Sequence, residues 1–114
     1  MPISIPYFYN DVEPAAAEHA ASLLLPHALE AFSSTTEHEG CAEFPITYVV
    51  CTKDKALTVT YQQKAIEVAR SRENRKGGRE AVEVVTMEAS HSPFLSMPEE
   101  TAKVIITAVG ERGQ

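Results

Sequence analysis

Apolar residues along this chain recur at two different intervals, and the change falls near residue 45. Upstream, Ala16, Ala20, Leu23 and Leu24 share a helical spacing. This predicts a helix over Ala15–Leu25, with Asp11 as N-cap and Pro14 accepted in the first turn. Pro26 interrupts it, because the ring and the missing N–H break the backbone ladder. A shorter helix is expected next, with Ala28, Leu29 and Phe32 on one face and Ser33-Ser34-Thr35-Thr36 closing it. Residues 1–12 read as extended, and the polar stretch Glu37–Glu43 around Gly40 reads as a loop.

Downstream, Ile46-Thr47-Tyr48-Val49-Val50-Cys51 is a near-continuous β-prone run, the pattern of a strand buried on both faces of a parallel sheet. Val82-Glu83-Val84-Val85-Thr86-Met87 is a second strand. Between them, residues 58–72 read as a helix with Tyr61, Ala65, Ile66 and Ala69 turned inward. The last helix is expected to begin at a capping box of Ser96 and Glu99, with Pro98 in its first turn. Its inner face would carry Ala102, Ile105, Ile106 and Val109, and Gly110 would stop it. Strand, helix, strand, helix implies two parallel strands joined by a right-handed crossover, hence an α/β fold. Two such strands are too few to stand alone, so the sheet edge is expected to seek further strands, a complementary chain or a second copy.

The candidate chemistry lies where the strands end. Asp54 follows the first, in Val49-Val50-Cys51-Thr52-Lys53-Asp54-Lys55-Ala56-Leu57. His91 follows the second 37 residues later (91 − 54), in Met87-Glu88-Ala89-Ser90-His91-Ser92-Pro93-Phe94. Alone, Asp54 suits a turn and His91 a surface loop. Together, in that order and at those positions, they suit the acid and base of a serine hydrolase triad, the acid orienting the imidazole and stabilising its protonated form. A nucleophile is expected to be missing. Upstream of Asp54 stand Ser4, Ser22, Ser33 and Ser34, and none has glycines two residues to either side, as a strained nucleophile elbow requires.

Composition narrows the alternatives. At 114 residues the chain is one small domain or part of a larger one. Its net charge of −6 argues against binding a nucleic-acid backbone. No run approaches the ~20 apolar residues of a membrane span, and the N-terminus lacks the basic and apolar stretches of a signal peptide, so a cytoplasmic location is expected. Cys41 and Cys51 form no CxxC pair, Cys51 reads as a buried small hydrophobe, and His19, His27 and His38 lack metal-site spacing. No metal or cofactor is implied. Arg70, Arg72, Arg75, Lys76 and Arg79 surround Gly77-Gly78, but no strand leads into these glycines, so a solvated loop is expected rather than a phosphate site.

At these residues the chain resembles the C-terminal half of α/β-hydrolases, in the single-domain branch of plant-type methylesterases, hydroxynitrile lyases and fungal relatives. Tyr48–Leu57 looks like that branch's penultimate-strand block, whose aspartate is the triad acid. Ser90–Glu100 looks like its histidine block, and Tyr7-Phe8-Tyr9-Asn10-Asp11 with the helices after it is similar to its lid. The resemblance implies a lid-like segment over 1–44 and a β-α-β-α core portion over 45–114, with Asp54 and His91 catalytic. Phe8, Phe32 and Phe94, with Tyr7, Tyr9 and Leu29, would line an apolar pocket. The implied activity is hydrolysis of a small apolar carboxylic ester in secondary metabolism, once a nucleophile is supplied. A lyase on the same fold and an inactive remnant that binds a ligand or partner are the alternatives. The Arg70–Arg79 stretch exceeds the family's usual short turn and is expected to be a surface insertion.

Overall fold

The computed structural model describes residues 2–72 and 74–112, so the outer ends of the segments expected at 1–44 and 45–114 lie outside the described residues. The fold is α/β. Strands β1 (Ile46–Cys51) and β2 (Val82–Met87) pair in parallel, from Ile46 opposite Val82 to Cys51 opposite Met87. Because side chains alternate between faces, Ile46, Tyr48, Val50 and Val82 meet Val59, Ile66 and Ala69 of one helix, Val59–Arg70. Thr47, Val49 and Val85 share an open groove with Val104 and Ala108 of another, Pro98–Arg112. The strands are not buried on both faces as expected. Thr47, Tyr48 and Val49 are half-buried and Val84 is exposed, because among the described residues each strand has a neighbour on one side only.

The remaining helices are Ser4–Phe8 and Pro14–Ser22 at the N-terminal end and the short Pro93–Ser96 after β2. In chain order the helices are α1 to α5, α3 being Val59–Arg70 and α5 Pro98–Arg112. Residues 4–8 are therefore helical rather than extended, since Pro6 lies in a first turn that needs no N–H from it. The N-cap of α2 is Glu13, whose carboxylate accepts from the N–H groups of Ala15 and Ala16 at 3.1 Å each, with Pro14 at the first helical position. Asp11 is not the cap; its carboxylate is engaged elsewhere. The helix ends at Ser22, three residues short of expectation, and Leu23, Leu24 and Leu25 stand exposed. In place of the shorter helix expected after Pro26, a single 3₁₀ turn forms, Leu29–Phe32, with no buried residue to hold it. Tyr9, Val12 and Ala17 make a small cluster that fastens α1 to α2.

Two inner faces also differ from expectation. On α3 the buried positions are Gln62 and Ile66, while Tyr61 and Ala65 are exposed. On α5 the half-buried positions are Thr101, Val104 and Ala108, one residue before the expected Ala102, Ile105 and Val109, and Ile105, Ile106 and Val109 are exposed. Gly110 does not end α5, a glycine costing only about 1 kcal/mol inside a helix. No capping box forms, because Ser96 lies in α4 and its hydroxyl donates to Asp11 at 3.0 Å.

The basic stretch is exposed at Arg72, Lys76, Gly77, Gly78 and Arg79, as expected of a surface loop, but Arg75 within it is buried. Arg75 is 5% exposed, its Nε donating to the Ala69 carbonyl and its Nη1 to that of Phe44 at 3.4 Å. Arg70 donates to the Val82 carbonyl at 3.1 Å, and Arg79 forks onto Glu67 with two bonds of 2.9 Å. These arginines tie α3 to the segments flanking both strands. Gly77 and Gly78 take φ of +84° and +68°, the left-handed region in which a side chain would be strained, and so turn the chain into β2.

Candidate active site

The strand ladder places the site. Residues i and i + 36 face each other throughout (82 − 46, 87 − 51). The pairing runs on past the strands, since Thr52 N–H donates to the Met87 carbonyl at 3.0 Å and Lys53 N–H to that of Ala89 at 2.9 Å. Parallel strands end at the same edge, so Asp54 emerges beside Ser90 and the next residue is His91. Asp54 Oδ2 lies 2.9 Å from His91 Nδ1. Asp54 Oδ1 accepts the N–H groups of Ala56 at 2.8 Å and Leu57 at 2.9 Å, a short turn that aims the second oxygen at the ring. The Asp54 side chain is 6% exposed and that of His91 39% exposed. The acid is sheltered, and the imidazole reaches outward. An ionised carboxylate can only accept, so this contact suits the imidazole tautomer whose proton is on Nδ1.

Gln62 holds the acid loop from beneath. Its side chain is buried, its Oε1 accepts the Cys51 N–H at 2.9 Å, and its Nε2 donates to the carbonyls of Cys51 at 2.9 Å and Leu57 at 2.8 Å. It thus bridges the end of β1 and the far side of the Asp54 turn. Sequence reasoning missed this residue. Its one signal was a polar side chain four positions before Ile66, on the inner stripe of a helix.

Asp11 does the corresponding work on the histidine loop. Its carboxylate accepts from Ser90 Oγ, from Ser90 N–H at 2.9 Å and from Ser96 Oγ at 3.0 Å. Burial pushes the Asp11 carboxyl pKa up, but these donors outweigh it and hold the group below the ordinary aspartate value. A carboxyl lowered on folding contributes stability above its unfolded value of about 4, and the contribution fades as pH falls through the folded value. An acid titration read at the Ser90 and Ser96 amide signals is expected to show the loop loosening only below about pH 4. Asp11→Asn should lack that step.

Of the aromatic residues expected near the site, Phe8 is there, its ring centroid 5.2 Å from that of His91 at the C-terminal end of α1. Tyr9 is buried in the α1–α2 cluster. Phe94 stands exposed in α4, and Phe32, 76% exposed, lies against His27 rather than His91. Tyr7 and Leu29 are exposed as well. Three of the four upstream serine hydroxyls are occupied locally: Ser22 donates to the His19 carbonyl at 2.6 Å, and Ser33 and Ser34 to that of Glu30. Burial, then the charges of Asp54 and Asp11, push the Cys51 thiol pKa up, which keeps it neutral and unreactive. Among the described residues no hydroxyl or thiol is hydrogen-bonded to the His91 ring. Among them, too, no helix is long and apolar enough to cross a membrane.

Adjacent parallel strands that deliver an acid and an imidazole to one edge are consistent with part of an α/β-hydrolase fold, and comparison with curated proteins supports that relationship. The chain is 31% identical to alpha/beta hydrolase nvfD of Aspergillus novofumigatus over 103 residues, 90% of this chain and 38% of that protein. It is 33% identical to a probable hydrolase of a Phoma species over 95 residues, 83% of this chain and 36% of that protein. The chain thus spans a little over a third of the length of the curated relatives it matches. No protein-family model matches it.

Proposed function

We propose that residues 1–44 and 45–114 are the lid and the last β-α-β-α portion of a serine-type α/β-hydrolase cleaving a small apolar carboxylic ester. The nucleophile and oxyanion donors come from polypeptide outside these 114 residues. The observation that carries this reading is the 2.9 Å contact between Asp54 Oδ2 and His91 Nδ1, with the acid's other oxygen held by the N–H groups of Ala56 and Leu57. His91 Nε2 takes the serine proton as the hydroxyl attacks the ester carbonyl. Asp54 stabilises the resulting imidazolium, and the same proton passes to the departing alkoxide. A water deprotonated by Nε2 then releases the acyl group. Phe8, against the ring, supplies an apolar wall on which a small ester can rest.

The test joins this chain to a preceding segment bearing a Gly-x-Ser-x-Gly turn and follows hydrolysis of p-nitrophenyl esters. The joined protein is expected to hydrolyse them with an initial burst, and the 114-residue chain alone is expected to be inert. A joined, folded protein without activity contradicts the proposal, and so does activity of the lone chain that survives His91→Ala. A second reading draws on the strand edges, which among the described residues carry no further strand, and on the exposed Ile105, Ile106 and Val109: an inactive remnant that binds a partner or a second copy through them.

A further inference from the structure

We infer that Asn10 and Asp11 form one positioning clasp that holds the acid loop and the histidine loop in register with each other. The inference rests on the relay reading above and adds a second pair of residues to it. Asn10 Nδ2 donates to the Lys53 carbonyl at 3.3 Å, and Asp11 receives both the N–H and the hydroxyl of Ser90. Each contact lands on the residue immediately before a member of the pair, Lys53 before Asp54 and Ser90 before His91. Two adjacent side chains thus grip the two loops at equivalent points, across 43 and 79 residues of sequence.

The grip on the histidine loop is the firmer. Ser90 is wholly buried, and its bonds to a carboxylate are charge-assisted, roughly twice as strong as neutral ones. Ser96 donates to the same carboxylate, so His91 is bracketed on both sides by residues fastened to Asp11. The clasp has its own anchorage. Tyr9 and Val12, on either side of it, are buried in the cluster with Ala17, and the Val12 N–H donates to the Tyr9 carbonyl at 3.0 Å. Phe8, one residue further back, rests on the His91 ring. Neither Asn10 nor Asp11 touches the reacting atoms; they act through the backbone. Because misplacing a catalytic group by about 1 Å costs on the order of 10²-fold in rate, such a clasp links the seating of the N-terminal segment to the competence of the base.

The experiment records imidazole nitrogen-15 spectra of the 114-residue chain, with amide exchange, for the wild type, Asp11→Asn, Ser90→Ala and Asp54→Asn. The wild type is expected to carry its ring proton on Nδ1. In Asp11→Asn the amide oxygen keeps the Ser90 N–H and the NH2 donates to the Ser90 hydroxyl, but the carboxylate charge that strengthens these bonds is lost. The Nδ1–H fraction of His91 is then expected to fall and Ser90 amide exchange to accelerate about tenfold, the scale of a charge-assisted bond reduced to a neutral one. The Ile66 and Val82 signals should stay in place. Ser90→Ala keeps the Asp11 charge and the Ser90 N–H bond, and decides the matter if Asp11→Asn does not fold; it is expected to produce the same change in smaller degree. If Asp54→Asn alters the ring and the clasp variants do not, the clasp is overturned and the relay stands. If Asp54→Asn leaves the ring unaltered too, the relay reading fails and the clasp with it.

Discussion

Asp54→Asn is expected to lower kcat of the joined hydrolase roughly 10³–10⁴-fold with little change in KM. Asparagine keeps an oxygen for the Ala56 and Leu57 N–H groups, so the turn after β1 survives. The atom facing His91 becomes an amide nitrogen, which donates. Nδ1 must then accept, the ring proton moves to Nε2, and the base can no longer receive the serine proton. The imidazolium also loses its counter-charge. A 10⁴-fold loss corresponds to about 5.5 kcal/mol of transition-state stabilisation, within reach of a hydrogen-bonded carboxylate that is 6% exposed. Steady-state kinetics on an aryl ester check it. A loss expressed mainly in KM would place Asp54 in substrate binding instead.

Gln62→Leu is expected to destabilise the chain by roughly 3 kcal/mol, a large share of the ~5–15 kcal/mol typical of a domain. Leucine fits the volume but removes the hydrogen bonds to Cys51 and Leu57. The Cys51 carbonyl keeps a bond from Asp54 N–H at 3.3 Å, whereas the Cys51 N–H and the Leu57 carbonyl lose the partner described here. Each buried group left unpaired costs about 1–3 kcal/mol. The effect should not be uniform. Because Leu57 closes the Asp54 turn, amide exchange at Ala56 and Leu57 is expected to rise more than at Val82 in the core. Chemical denaturation with residue-resolved exchange checks both parts, and a loss below ~0.5 kcal/mol would show that the amide does not hold the turn.

The acid–imidazole pair was legible in the sequence because parallel pairing is nearly sufficient to create it. Two β-prone runs joined through a helix end at one edge, and a ladder offset of 36 sets residue 54 beside residue 90. Asp11 and Ser96 were misread for a shared reason. A carboxylate or hydroxyl before a proline-led helix is a capping signal, but the same oxygen serves equally well as a partner for a residue 79 or 85 positions away. Local pattern cannot choose between them. Gln62 and Arg75 were hidden by the habit of reading polar residues as solvated, although both are buried with backbone partners. The face of α5 was read one residue late because apolar residues occupy both Val104–Ile106 and Ala108–Val109. With so little sheet beside it among the described residues, the helix buries only one edge of that stripe.

The central claim is that Asp54 holds the proton of the His91 ring on Nδ1, and the low-field proton spectrum of the isolated chain tests it most directly. A hydrogen-bonded Nδ1 proton shifted far downfield, assigned to His91 and absent from Asp54→Asn, is the result this account predicts. An imidazole protonated on Nε2, with the same spectrum in both proteins, would contradict it.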